Sequence, residues 1–95
     1  MSFKRQLDEA RKMGFSISEL KIAEECEFAF NFEYNSDEFE RLCEVAHICY
    51  IKAERMTEFA IAMAINDFIV EDGYSVNDVL SMYIWDLIRR ADNWL

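Results

Sequence analysis

The chain has one histidine, His47, four residues after Cys43 and three after Glu44, with Glu40 a helical turn earlier. Each spacing offers a chemistry. Residues four apart share one side of a helix, so Cys43 and His47 could act as a nucleophile and its base. Glu44-x-x-His47 is the Glu-x-x-His spacing of carboxylate-bridged dimetal bundles, a site that needs two such motifs and two further glutamates. One chain supplies one motif, so a metal centre built on Glu40, Glu44 and His47 would require a two-fold dimer. Against both options, Cys43 falls on the apolar side of its helix, where a thiol behaves as a small hydrophobe. Glu54 and Glu58 prolong the polar edge on which His47 stands, the pattern of an ordinary solvated stripe. No glycine-rich phosphate loop, nucleophile elbow or Cys-x-x-Cys is present. The expectation is a protein that is not an enzyme, with no metal and no cofactor.

Charge gives a stronger signal. The net charge is −9, and residues 16–40 hold eight acids against one base. The acids are Glu19, Glu24, Glu25, Glu27, Glu33, Asp37, Glu38 and Glu40. Solubility and the charge preference of helix N-termini account for such acids, but the crowding also destabilises a fold by self-repulsion, so a negative surface presented to a cationic groove stands beside that reading. Binding to a nucleic-acid backbone needs a basic face, so direct nucleic-acid contact is not expected. A partner protein with a basic surface, such as a nuclease or another nucleic-acid-binding protein, is the electrostatic complement. Phe28, Phe30, Phe32 and Tyr34 lie inside the acidic stretch. Aromatic rings at a centre with charges at the rim is the usual build of a binding hot spot. The residues expected to meet a partner are Glu19, Glu24, Glu25, Glu27, Phe28, Phe32, Glu33, Tyr34, Asp37, Glu38 and Glu40.

These residues must be held by helices. There is no proline, and the two glycines are Gly14 and Gly73, a composition that favours helices over a turn-rich sandwich. Ser2 caps an expected first helix that ends at Gly14, and Ser16 with Glu19 forms a capping-box pattern for the next. Leu20, Ile22, Ala23, Cys26, Ala29 and Phe30 fall on one face of that second helix. The alternation through residues 28–34 is a period-two strand signal. It has no second run to pair with, so an irregular tail to the helix is favoured over a short strand paired across a dimer.

Asn35 caps a helix with acids in its first turn, whose apolar face is Phe39, Leu42, Cys43, Ala46, Cys49, Tyr50 and Ala53. A break is expected near residues 55–57, with Thr57 capping a segment, 59–70, that is apolar nearly all round and therefore central. Asp72-Gly73 ends it. Ser75 and Asp78 then cap one last amphipathic helix from Val76 to Ala91, with Arg89 and Arg90 in its final turns, where cations suit the dipole. The expected architecture is a single all-α domain, 1–95, a compact bundle of four to five helices.

The apolar share is 53%, more than a chain of this size easily hides, so an exposed apolar patch is expected. The longest apolar run, Phe59 to Ile65, is seven residues, far below a membrane span. Cys26, Cys43 and Cys49 are an odd number without regular spacing, no disulfide framework. Residues 1–14 lack the apolar core of a signal peptide. A cytoplasmic location is expected. Arg5, Arg11 and Lys12 are offset by Asp8 and Glu9, so no lipid contact is read there.

In size, acidity and helical character the chain resembles the small inhibitor proteins of phages and mobile elements, such as anti-CRISPR proteins and nuclease immunity proteins. The resemblance is compositional and transfers no residue. It implies an inhibitor that occupies a basic, nucleic-acid-handling surface. Two other readings stand beside it: a homodimeric structural or regulatory helical protein, and the dimeric metal-binding bundle.

Overall fold

Short polar side chains set the helix starts. Asn35 is extended (φ −95°, ψ 174°); its Oδ1 accepts the Glu38 N–H at 2.8 Å, and Glu38 Oε1 accepts the Asn35 N–H at 3.0 Å. Thr57 Oγ1 accepts from Ala60 N at 3.1 Å. Ser75 and Asp78 close a second reciprocal box at 3.1 and 2.9 Å. Each bond satisfies an amide that the first helical turn otherwise leaves unpaired. The structure, a computed structural model, describes residues 17–95. The expected helix ending at Gly14 and the Ser16 cap lie outside them.

Five α-helices follow among the described residues: α1 (Ile17–Ala29), α2 (Ser36–Lys52), α3 (Glu58–Asn66), α4 (Val76–Leu80) and α5 (Ile84–Ala91). A π turn (Asp67–Glu71) prolongs α3 and a 3₁₀ turn (Asp92–Trp94) follows α5. The fold is all-α. No strand occurs among the described residues, and the possible β segment at 28–34 is corrected: α1 runs to Ala29 and an irregular tail follows. The tail's backbone donors turn inward instead of to a sheet partner. Phe30 N–H donates to Cys26 O at 2.9 Å, and Asn31 N–H to the Asn66 side chain at 2.7 Å.

The core forms around α3, whose Ala60, Ile61, Ala62, Ala64 and Ile65 are fully enclosed. Three small alanines let neighbouring helices approach closely, while the two isoleucines fill the space between them. α1 contributes Ile22 and Cys26, α2 contributes Leu42, Ala46 and Cys49, and α5 contributes Leu87, Ile88 and Ala91. The break between α2 and α3 occurs where the sequence places it. Ala53 leaves the helix (φ −106°, ψ 118°) and Arg55 takes φ 63°, which carries Met56 into the core.

Gly73 (φ 75°) reverses the chain after the π turn, a conformation that L side chains adopt only with strain. Tyr74 N–H then donates to Phe68 O at 2.9 Å. The single helix expected from Val76 to Ala91 is also corrected. It divides at Ser81–Tyr83, where Met82 N–H bonds Val79 O at 3.1 Å. The bend lets Val76 and Val79 bury on one heading and Leu87 and Ile88 on another. Tyr83, which an unbroken helix would turn inward, stays 67% exposed.

Candidate functional site

The four rings of the acidic stretch and Phe39 separate into two settings. Phe30 is 9% exposed and sits at the centre of a cluster, with ring centroids of Phe32 at 4.8 Å, Tyr34 at 5.8 Å and Phe39 at 6.0 Å. Phe32, Tyr34 and Phe39 are half-buried and pack on the core margin. Phe28 is 78% exposed. It leads a row of rings: Phe59 lies 6.5 Å away, and Trp94 meets Phe59 edge-on at 6.1 Å. Trp94 is fixed by its indole N–H, which donates to Asp67 Oδ2 at 2.8 Å. Phe59 and Trp94 remain 37% and 38% exposed. The row draws on α1, the first turn of α3 and the C-terminal 3₁₀ turn, and it holds an apolar surface open to solvent.

Carboxylates border this row. Lys21 pairs with Glu25 at 2.9 Å, and that bond, with the further fields of Glu24 and Glu58, raises the lysine pKa. The same influence places Glu58 at the start of α3 near the exposed side of α1. Glu27 precedes Phe28, and partial burial pushes its carboxyl above the usual value. Burial likewise raises the Tyr34 hydroxyl, and the Glu27 charge adds to the shift. Beyond it, Phe32, Glu33, Tyr34 and Glu38 line an open groove of about 680 Å³.

The eleven expected contact residues therefore divide. Glu27, Phe28, Glu33 and Glu40 are exposed, and those three acids have no ion pair among the described residues. Glu24 is exposed beside them. Glu25 is tied to Lys21, Asp37 to Arg41 at 3.3 Å, and Glu38 to the Asn35 amide. Glu19 lies 3.7 Å from His47 Nε2. Phe32 and Tyr34 give one side to the core and the other to the groove. Phe59 and Trp94 are additions that the expected set lacked. Phe59 stands in a segment apolar on every side, so periodicity carries no sign of which ring faces out.

The chemistry considered for Cys43 and His47 has a different setting. Cys26 and Cys43 are free thiols that share a hydrogen bond, and this contact together with burial pushes the Cys26 thiol well above its ordinary value. Burial pushes Cys49 up to about 11. Both buried thiols are thus held protonated and poorly reactive. His47 Nδ1 is enclosed without a hydrogen-bond partner among the described residues. Among the described residues no group of three or more His, Cys, Asp or Glu side chains is placed to hold a metal ion, and no helix is long and apolar enough to cross a membrane.

No protein family model matches the chain, and neither a curated protein nor a solved structure matches it.

Proposed function

We propose that this chain is a non-enzymatic binding protein that occupies a basic, nucleic-acid-handling surface of a partner protein. By analogy of size and charge with phage-borne inhibitors, it acts there as an inhibitor. The observation that carries the reading is Phe28, 78% exposed on a helix whose other solvent positions include Glu24 and Glu27. Leaving most of so large a ring in water gains little for folding, and its neighbours Phe59 and Trp94 extend it into a patch. Acids around that patch would steer a cationic partner, and the rings would supply affinity once water is excluded.

The test is an affinity capture from the native host or its target cell, repeated at low and high salt. A recovered nucleic-acid-binding protein should be lost steeply as salt rises. With that partner in hand, reversing Glu27, Glu33 and Glu40 to lysine should slow association while leaving the fold intact. Equal association rates for this triple variant and the parent would remove the electrostatic part of the reading.

A second reading, self-association, draws on Ile48 and Ile51, both exposed on α2. Light scattering that returns a monomer across micromolar concentrations dismisses it.

A further inference from the structure

A recess of about 570 Å³ opens between the π turn, α4 and α5, within the range of about 300–1,000 Å³ usual for small-ligand clefts. One end of it already holds a guanidinium. Arg90 Cζ lies 4.8 Å from the centre of the Phe68 ring. Its Nη1 and Nη2 donate to the two oxygens of Asp72 at 2.9 and 3.3 Å, with Asp67 Oδ2 3.8 Å from Nε. A ring beneath and a carboxylate fork beside is the arrangement that selects a planar cation.

The remainder of the recess repeats those parts. Tyr74 stands 5.3 Å from Phe68, Tyr83 rises exposed from the α5 cap, and Asp78 and Asp86 supply carboxylates. Asp78 commits Oδ2 to the Ser75 N–H. Among the described residues the Asp86 side chain meets the exposed Arg89, at a loose 3.7 Å. The lining carries Asp78 and Asp86 against Arg89 and Arg90, and Asp67, Glu71 and Asp72 beside Arg90 make the surround negative.

We propose that this recess is a binding site for a guanidinium group, the arginine side chain of a basic peptide, taken between the Tyr74 and Tyr83 rings and held by Asp78 and Asp86. The negative surround opposes an anion, and Arg90 is already engaged. A guanidinium suits the recess better than an ammonium because it stacks flat on rings and bonds carboxylates through two donors. Arg89 competes for Asp86, so an incoming arginine must displace it. The inference goes beyond the basic-partner reading: its lining shares no residue with the Phe28 face, and its test needs no partner.

The test is an amide-shift titration of the isotopically labelled full chain with N-acetyl-arginine-amide, and with the uncharged N-acetyl-citrulline-amide as control. Saturable shifts centred on Tyr74, Asp78, Tyr83 and Asp86 are expected with the arginine compound alone. Tyr83→Ala should weaken binding roughly two- to fivefold, the loss of one partly exposed cation–π contact. Asp86→Asn should also weaken it, and Arg89→Gln should tighten it by freeing Asp86. The proposal is overturned by an absence of saturable shifts at the recess, by equal shifts with the citrulline compound, or by shifts spread evenly over the acids of α1 and α2. Should Tyr83→Ala disturb the fold, the parent map and Asp86→Asn still decide.

Discussion

Phe28 and Phe30 are two residues apart and chemically identical, and truncating each should have very different consequences. Folding leaves Phe30 9% exposed and Phe28 78% exposed. With about 200 Å² for a phenylalanine and about 25 cal/mol per Å², Phe30 removes about 180 Å² from water, worth roughly 4.5 kcal/mol, and Phe28 about 40 Å², worth about 1 kcal/mol. Both figures are upper bounds because the unfolded chain already hides some surface. Phe30→Ala should therefore cost about 3–5 kcal/mol, the usual range for a buried ring. Phe28→Ala should cost less than about 1 kcal/mol. Urea unfolding followed by circular dichroism measures both. At an m-value of about 1–2 kcal/mol/M, a loss near 4 kcal/mol moves the midpoint by about 2–4 M. Equal costs for the two variants, or a loss above about 2 kcal/mol for Phe28→Ala, would refute the division of rings on which the binding face rests.

Thr57→Ala removes the α3 cap and should lower stability by about 1 kcal/mol, with Thr57→Ser retaining most of it; thermal unfolding reads both. Arg55→Gly relieves the left-handed conformation at φ 63°, worth about 1–2 kcal/mol, against about 0.4–1 kcal/mol of added freedom in the unfolded chain. A net gain of about 0 to 1.6 kcal/mol is expected, and a net loss would contradict the assignment of strain there. Cys49, pushed from 9.0 to about 11, keeps its proton in the fold after the unfolded thiol has lost its own. Its contribution is complete below pH 9 and should fall away as pH rises toward 11, seen as a declining urea midpoint that Cys49→Ala makes shallower, the remainder coming from Cys26 and Tyr34, both also raised. In the native protein at pH 8 a thiol reagent should reach half-buried Cys43 first, with Cys26 and Cys49 reacting only on unfolding.

Features governed by chemistry within four residues were legible in the sequence. Asn35 with Glu38, Thr57 with Ala60 and Ser75 with Asp78 cap where composition and spacing place them, because a cap needs only its own first turn. The central place of α3 was legible too, since a segment apolar on all sides must be surrounded. The break at Ser81–Tyr83 was not. The apolar period runs unbroken from Val76 to Ala91, with no glycine or proline between, and the bend comes from where Val79 and Leu87 each find the core. In the candidate site, Phe28 and its acids were visible as a cluster along the chain. Phe59 and Trp94 were not, because they join Phe28 only through the packing of α1 on α3 and the return of the C-terminal turn. Alternation in 28–34 suggested a shared side for Phe28 and Phe30, whereas the end of α1 at Ala29 sends them to opposite environments.

Asp67 fastens two regions with one carboxylate. Its Oδ2 receives the indole proton that fixes Trp94 and lies 3.8 Å from the Arg90 Nε. Loosening that one anchor would free the outer end of the Phe28–Phe59–Trp94 row, whereas the Arg90 guanidinium would keep its two bonds to Asp72.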